Sequence, residues 1–300
     1  MPNGIILLDK PRGLTSNGAL QRVRKAFGAN SAGHVGTLDP MATGMLPICL
    51  DEATKVIAEI ESGAKAYEFT LQLGTRTDTG DAEGQVVETQ PIPAPDDAAI
   101  EAALAGFRGP QLQVPPMYSA LKREGRPLYE LARQGVEVDR AARPIEILRF
   151  DLLERGADFL RLACECAKGT YIRVLGEDLA RALGTVGHLT QLRRTWVVPF
   201  RDMPMVSLEA ALSGAAEARG LMPPDAALAA LPQARLSPDQ VASVRNGQTV
   251  RQDADPLPTT GKRVRLYGPA GEFLGLAEAM PDGWLQPRRL LRSATSTAAS

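Results

Sequence analysis

The chain has 300 residues, 34 basic and 35 acidic side chains, a formal net charge of −1 and 44% hydrophobic residues. That length and composition predict about two globular domains with ample core, and exclude a collagen-like or intrinsically disordered chain. No apolar run approaches membrane-spanning length, and Ile5-Ile6-Leu7-Leu8 is cut short by Asp9-Lys10, so neither a membrane span nor a secretory signal is expected and the expected location is the cytoplasm.

In chain order, Gly4 to Leu8 predicts a buried strand, followed by a turn at Asp9-Lys10-Pro11-Arg12-Gly13. Ser16 is expected to cap a helix with an apolar stripe of Leu20, Val23 and Phe27, stopped by Gly28. A glycine-framed polar loop, Gly33 to Gly44, precedes an apolar run through Leu50 and a helix near Lys55 to Glu61. Tyr67, Phe69, Leu71 and Leu73 alternate with Ala66, Glu68, Thr70 and Gln72, the pattern of a half-buried strand. The polar loop Arg76 to Asp81 follows, then a returning strand at Gln85 to Thr89 and a helix from about Asp97 to Phe107. Pro110 to Lys122 has no regular period and is expected as a surface excursion before a short helix, Pro127 to Gln134. Ile145 to Leu153 and Phe159 to Ala167 predict a hairpin, then a helix to about Leu183 and a segment, His188 to Val198, that closes the unit. Beyond Met203 the texture becomes Ala- and Pro-rich, and Ser237-Pro238-Asp239-Gln240 forms a capping box ahead of short strands near Val264, Phe273 and Trp284. The expected division is 1–230, with an insertion at about 108–145, then a small β-rich domain at 231–293 and a tail at 294–300.

Metal, nucleotide-cofactor and serine-hydrolase motifs are missing. Cys49, Cys164 and Cys166 read as buried thiols, since neither Cys nor His shows ligand spacing. The near-zero net charge conceals an uneven distribution. Residues 77–107 carry seven acids and no base, residues 161–201 seven bases and three acids, and 27 of the 34 basic residues are Arg. Arg suits phosphate and base stacking, so a basic face for nucleic acid remains open. The segment Gly33-His34-Val35-Gly36-Thr37-Leu38-Asp39-Pro40 is the most unusual stretch. It presents an acid on a tight loop where glycines permit close approach. Local chemistry alone fits equally a turn held by Asp and Thr side chains.

That segment resembles the signature loop of the bacterial tRNA pseudouridine-55 synthases. Asp9-Lys10-Pro11, Lys65-Ala66-Tyr67, Arg76-Thr77-Asp78-Thr79-Gly80-Asp81, Pro116 to Lys122, Lys168-Gly169-Thr170-Tyr171-Ile172-Arg173 and Leu192-Arg193-Arg194 also match, in the family's order. The resemblance covers residues 3–200, and more weakly a C-terminal run, Gly271 to Ala277, similar to an appended RNA-binding domain. It implies an α/β (α+β) pseudouridine synthase fold, a central mixed, mostly antiparallel sheet with flanking helices, and a PUA-like C-terminal domain. It implies isomerisation of uridine to pseudouridine at position 55 of the tRNA T-loop, with no cofactor and no metal. Asp39 is then the essential carboxylate, as nucleophile or as base. Tyr67 is the ring against the flipped uracil and Arg173 the ionic partner of Asp39. His34 is expected against the RNA, Asp81 near the substrate, and Leu192 beside the target base. Lys10 and Tyr171 are expected at the substrate, and Lys122, Arg193 and Arg194 at phosphates. His188 is expected to be structural. The implied partner is the T-arm stem-loop, with no obligatory protein partner, no membrane and a monomeric chain. A guide-dependent relative and a non-catalytic RNA-binding protein are the alternatives. The short Ser/Thr/Ala tail and the Arg126 to Gly135 insertion favour the stand-alone enzyme, and the set Asp39, Tyr67, Arg173 favours catalysis.

Overall fold

The computed structural model describes residues 2–119, 121–123, 125–213, 220–252 and 259–292; the expected tail at 294–300 lies outside the described residues. The first strand, β1 (Gly4–Lys10), is apolar on both faces and runs through the core, leading to helix α1 (Ser16–Phe27). Thr15, not Ser16, caps that helix: its side chain accepts the Gly18 N–H. Ser16 already stands inside the first turn and points inward, buried. Strands β2 (Ala32–His34) and β3 (Thr43–Leu50) flank the Asp39 loop. A 3-10 turn (Asp51–Val56) and helix α2 (Ile57–Glu61) then lead into β4 (Lys65–Leu73).

Strands β5 (Thr75–Thr77) and β6 (Val86–Thr89) pair only with each other, so the returning strand closes a small hairpin beside β4 rather than extending it. Helix α3 (Asp97–Phe107) is capped by Asp96. The irregular reading of the next segment is corrected at its start: Gly109–Gln113 is a strand, β7, at the edge of the main sheet. An edge strand pairs on one side only and so tolerates Pro110. The insertion continues as a small hairpin, β8 (Lys122–Arg123) and β9 (Arg126–Pro127), and helix α4 (Leu128–Arg133). The long pair β10 (Arg143–Arg155) and β11 (Phe159–Cys166), helix α5 (Ile172–Ala182), β12 (Gly187–Val197), β13 (Val206–Ser207) and α6 (Leu208–Ser213) follow.

These strands form a nine-stranded sheet in the order β13-β1-β3-β12-β4-β11-β10-β7, with β2 added to β3. Only β1/β13 and β3/β12 are parallel, so the sheet is mixed and mostly antiparallel as expected. Its two faces bury separate apolar clusters. Tyr67, Phe69 and Leu71 join α1, α3 and α5 on one, while Ala66, Trp196 and Met45 join the 3-10 turn on the other. The strand alternation of β4 is the direct cause of this division.

A second sheet of five strands comprises β14 (Gln233–Arg235), β15 (Val250–Arg251), β16 (Arg263–Tyr267), β17 (Phe273–Ala279) and β18 (Trp284–Leu290). Helix α7 (Pro238–Arg245) carries the predicted capping box with both reciprocal bonds present. Strands β14 and β15 are too short for their alternation to show in sequence. This sheet is fastened to the larger unit at the 3-10 turn. Lys55 Nζ donates to Leu290 O at 2.8 Å, the Arg292 N–H donates to Glu52 Oε2 at 2.6 Å, and Leu276 enters the apolar cluster of Met45, Cys49 and Val56.

Candidate active site

Asp39 lies on the crossing between β2 and β3, a segment with few backbone partners of its own. Neighbouring elements supply them. Ser16 Oγ donates to Leu38 O at 2.9 Å and accepts from Leu38 N at 2.8 Å. Pro40 O accepts from Gly13 N at 2.8 Å and from Lys10 Nζ at 3.3 Å, and Asp39 O accepts from Ala42 N at 3.0 Å. Glycine is required at two points. Gly36 has φ 67°, and a Cβ on Gly44 (φ 97°) would stand 2.2 Å from the Arg194 carbonyl oxygen.

The Asp39 carboxylate meets Arg173 from α5, with Nε to Oδ2 at 2.9 Å, and Asp81 Oδ2 lies 3.6 Å from the same nitrogen. The remaining arginine donors are also engaged: Nη1 donates to Thr79 O and Nη2 to Tyr118 O, both at 2.6 Å. Asp81 is buried and fixed by the Thr79 hydroxyl (2.7 Å) and the Glu83 N–H (3.0 Å). The side chain of Asp39 stays 34% exposed, against 6% for Arg173. Burial raises the Asp39 pKa above the ordinary 3.8; Arg173 draws it back down, and the Asp81 charge adds to the rise.

Tyr67 stands on β4 with Arg194 of β12 and Cys164 of β11 as its register neighbours. Its phenol is pushed up to about 12 by burial, with a hydrogen bond to Arg194 opposing the rise, so it is neutral near pH 7. Asp39, Tyr67, Tyr118, Tyr171, Arg173 and Leu192 line one cavity of about 710 Å³, within the range of small-molecule sites. Tyr171 is held at its backbone by Gln113, whose side chain accepts from Tyr171 N at 2.8 Å and donates to Tyr171 O at 3.2 Å.

Several expected site residues are placed differently from expectation, and Arg194 is in the wall of the same cavity. Arg194, expected at a phosphate, is 1% exposed. It donates from Nε to Met45 O (2.7 Å) and from Nη2 to Val35 O (3.1 Å) and Gly36 O (3.0 Å). Burial lowers its pKa, with Tyr67 opposing. Lys10, expected at the substrate, is buried beneath the loop and donates to Pro11 O, Leu14 O and Pro40 O at 3.1, 2.6 and 3.3 Å. Both cations are almost wholly buried and their donors serve carbonyls inside the protein. Arg193 points away from Arg194 and makes a bidentate pair with Asp9 at 2.9 and 2.8 Å, part-exposed in a separate hollow with Arg12 and Arg161. Lys122 stands on the first strand of the insertion hairpin. His34 ends β2 two residues before the cavity lining begins at Gly36; burial lowers its pKa, so the ring is neutral near pH 7. His188 contacts Thr75 O at 2.8 Å, a structural role.

Sequence reading missed Ser16 and Gln113 as holders of the site. A signal for Ser16 was present: two capping-type residues, Thr15 and Ser16, stand where one helix start needs one. The Arg173 contact with Tyr118 O is a backbone contact, for which no side-chain signal exists.

Comparison with known proteins bears on this geometry. Residues 24–172 match the family model described as TruB family pseudouridylate synthase (N terminal domain). Residues 173–229 match the tRNA pseudouridylate synthase B C-terminal domain, and residues 232–291 match Pseudouridine synthase II TruB, C-terminal. The chain is 50% identical over 298 residues to a tRNA pseudouridine synthase B of Aromatoleum aromaticum, covering 99% of this chain and 94% of that one. It is 47% identical to the protein of the same name from Chromohalobacter salexigens, covering 98% and 95%. Among solved structures it resembles a Cbf5-Nop10-Gar1 complex (25% identity, TM-score 0.70, 94% of this chain and 80% of that chain). It shares its fold with an H/ACA RNP bound to a substrate RNA containing 2'-deoxyuridine (21% identity, TM-score 0.73, 97% and 86%). The carboxylate loop, its arginine partner and the strand tyrosine thus stand in a chain that belongs to the TruB family of pseudouridine synthases.

Proposed function

We propose that this chain isomerises uridine to pseudouridine at position 55 in the T-loop of tRNA. The observation that carries the reading is the Asp39–Arg173 ion pair opening into a cavity that Tyr67 also lines. The names of the near-full-length relatives support the substrate, and 44–50% identity to them against 25% to a protein of a Cbf5-Nop10-Gar1 complex favours tRNA.

In the reaction the N1–C1' bond breaks, the uracil rotates, a C5–C1' bond forms, and the C5 proton leaves while N1 gains one. Nothing is oxidised and no group is imported, so no cofactor is required. Asp39 supplies the ionised carboxylate at the sugar, and Arg173 keeps it charged and aimed. The Tyr67 ring stacks on the flipped uracil, a contact worth about 1–3 kcal/mol per base. Its neutral hydroxyl, bonded to Arg194, is a proton-transfer partner rather than a standing phenolate. Leu192 packs beside the base, Asp81 balances Arg173, and the segment around Tyr118 closes on the RNA. His34 contacts the RNA loop where the nucleotide leaves the stack, a step that costs a few kcal/mol. Lys122 and the exposed part of Arg193 face phosphates. The C-terminal sheet is the RNA-binding unit. The enzyme works in the cytoplasm as a monomer without a protein partner; among the described residues no helix is long and apolar enough to cross a membrane.

A T-arm stem-loop carrying tritium at C5 of its target uridine tests the reading. The native chain releases tritium, and Asp39→Asn binds the RNA but releases none above background. Equal release by the variant would remove Asp39 from its role.

A further inference from the structure

We propose that Ser16 is a positioning residue for the reaction, holding the Asp39 carboxylate against the sugar through the peptide group that precedes it. The proposal rests on the catalytic reading of Asp39 given above. Leu38 is the residue immediately before Asp39, and one hydroxyl satisfies both of its backbone groups: Ser16 Oγ donates to Leu38 O at 2.9 Å and accepts from Leu38 N at 2.8 Å. Ser16 is 2% exposed, so water does not compete for either bond. The helix start does not need Ser16, because Thr15 caps it. The hydroxyl is therefore committed to the loop.

The consequence is geometric. Ser16 belongs to α1, whose Ala19, Leu20 and Val23 are packed in the main core. Asp39 is thus registered to a rigid element on its N-terminal side. On its C-terminal side Pro40 O is registered to the turn by Gly13 N. A peptide clamped at both flanks leaves its central side chain little freedom to shift, and a displacement of about 1 Å at a reacting group costs about 100-fold in rate. Removing the hydroxyl leaves a buried N–H and a buried C=O without partners, which the loop relieves by moving. No RNA-facing group changes, so the loss falls on kcat and not on KM.

The experiment compares the full-length wild type with Ser16→Ala, Ser16→Cys and Thr15→Ala on the C5-tritiated T-arm stem-loop, with RNA affinity and Tm measured for each. Ser16→Ala is expected to lower kcat by about 10- to 100-fold. Its RNA Kd stays within about twofold of wild type. Ser16→Cys keeps the volume with a weak donor and acceptor, and falls between the two. Thr15→Ala removes the cap of the same helix, lowers Tm, and keeps wild-type kcat below its melting range. The proposal is overturned by a Ser16→Ala enzyme with wild-type kcat, or by a Thr15→Ala enzyme that loses as much turnover. If Ser16→Ala does not fold, Ser16→Cys decides: reduced kcat at unchanged Kd supports the role, and unchanged kcat ends it. A wild type that releases no tritium fails the reading of Asp39 itself, and the proposal falls with it.

Discussion

Two buried arginines approach the same cavity, one from α5 and one from β12, and they are solvated by different things. Arg173 sits among carboxylates, with Asp39 at 2.9 Å and Asp81 at 3.6 Å, and shares its other donors with two carbonyls. Arg194 bonds three carbonyls of the β2–β3 region and the Tyr67 phenol. The first arrangement is a charge balance, in which any change alters the affinity of Asp39 for a proton. The second is a frame: it ties β12 to the loop and to β4, and carbonyl dipoles stand in for a counter-ion. One side of the cavity is therefore a balance of charges and the other a hydrogen-bonded frame.

Substitutions on the two sides should fail differently. Arg173→Met is expected to lower kcat by about 100-fold or more, because Asp39 loses both aim and counter-charge. It should also move the acid limb of the kcat–pH profile upward, since removing the cation raises the Asp39 pKa further. Arg194→Met is expected to act first on stability, costing about 2–4 kcal/mol in urea unfolding as charge-assisted bonds to three carbonyls are lost. A turnover defect in Arg194→Met with native stability would erase the distinction. Asp81→Asn removes the like charge and shifts the acid limb downward, to lower pH.

The smallest effect belongs to Lys10, whose pKa is lowered to about 8 by burial, with Asp39 opposing. Between about 8 and the ordinary 10.5 the unfolded chain holds a proton that the folded chain has released. Stability therefore rises with pH across that window for this group. Lys10→Met should flatten that slope in pH-dependent urea unfolding.

Much of this was legible in the residues, for identifiable reasons. The β4 strand announced itself because its two faces meet different surroundings, and α1 because its apolar stripe of Leu20, Val23 and Phe27 is stopped by Gly28. The order of motifs pointed to Asp39, Tyr67 and Arg173 together, which no single segment could do. The illegible parts share a cause. Lys10 and Arg194 are read as RNA contacts, which need exposed cations, and only the folded chain gathers the carbonyls that make burial tolerable. Consecutive arginines at 193 and 194 look alike in sequence, yet strand alternation sends one to Asp9 and the other inside. Ser16 was credited with the work of its neighbour Thr15, since both are good caps and only geometry divides the two tasks. Strand β7 escaped because its outward residues, such as Leu112 at 70% exposed, break the polar-out pattern.

The fastening of the C-terminal sheet to the 3-10 turn after β3 has one more implication. Lys55, Glu52 and Leu276 join that sheet to the strand whose other end receives the Asp39 loop. The spacing between cavity and C-terminal sheet is thereby set by the length of one strand and a short turn. Such a construction is a caliper. A ligand that touches both surfaces has to match that gap.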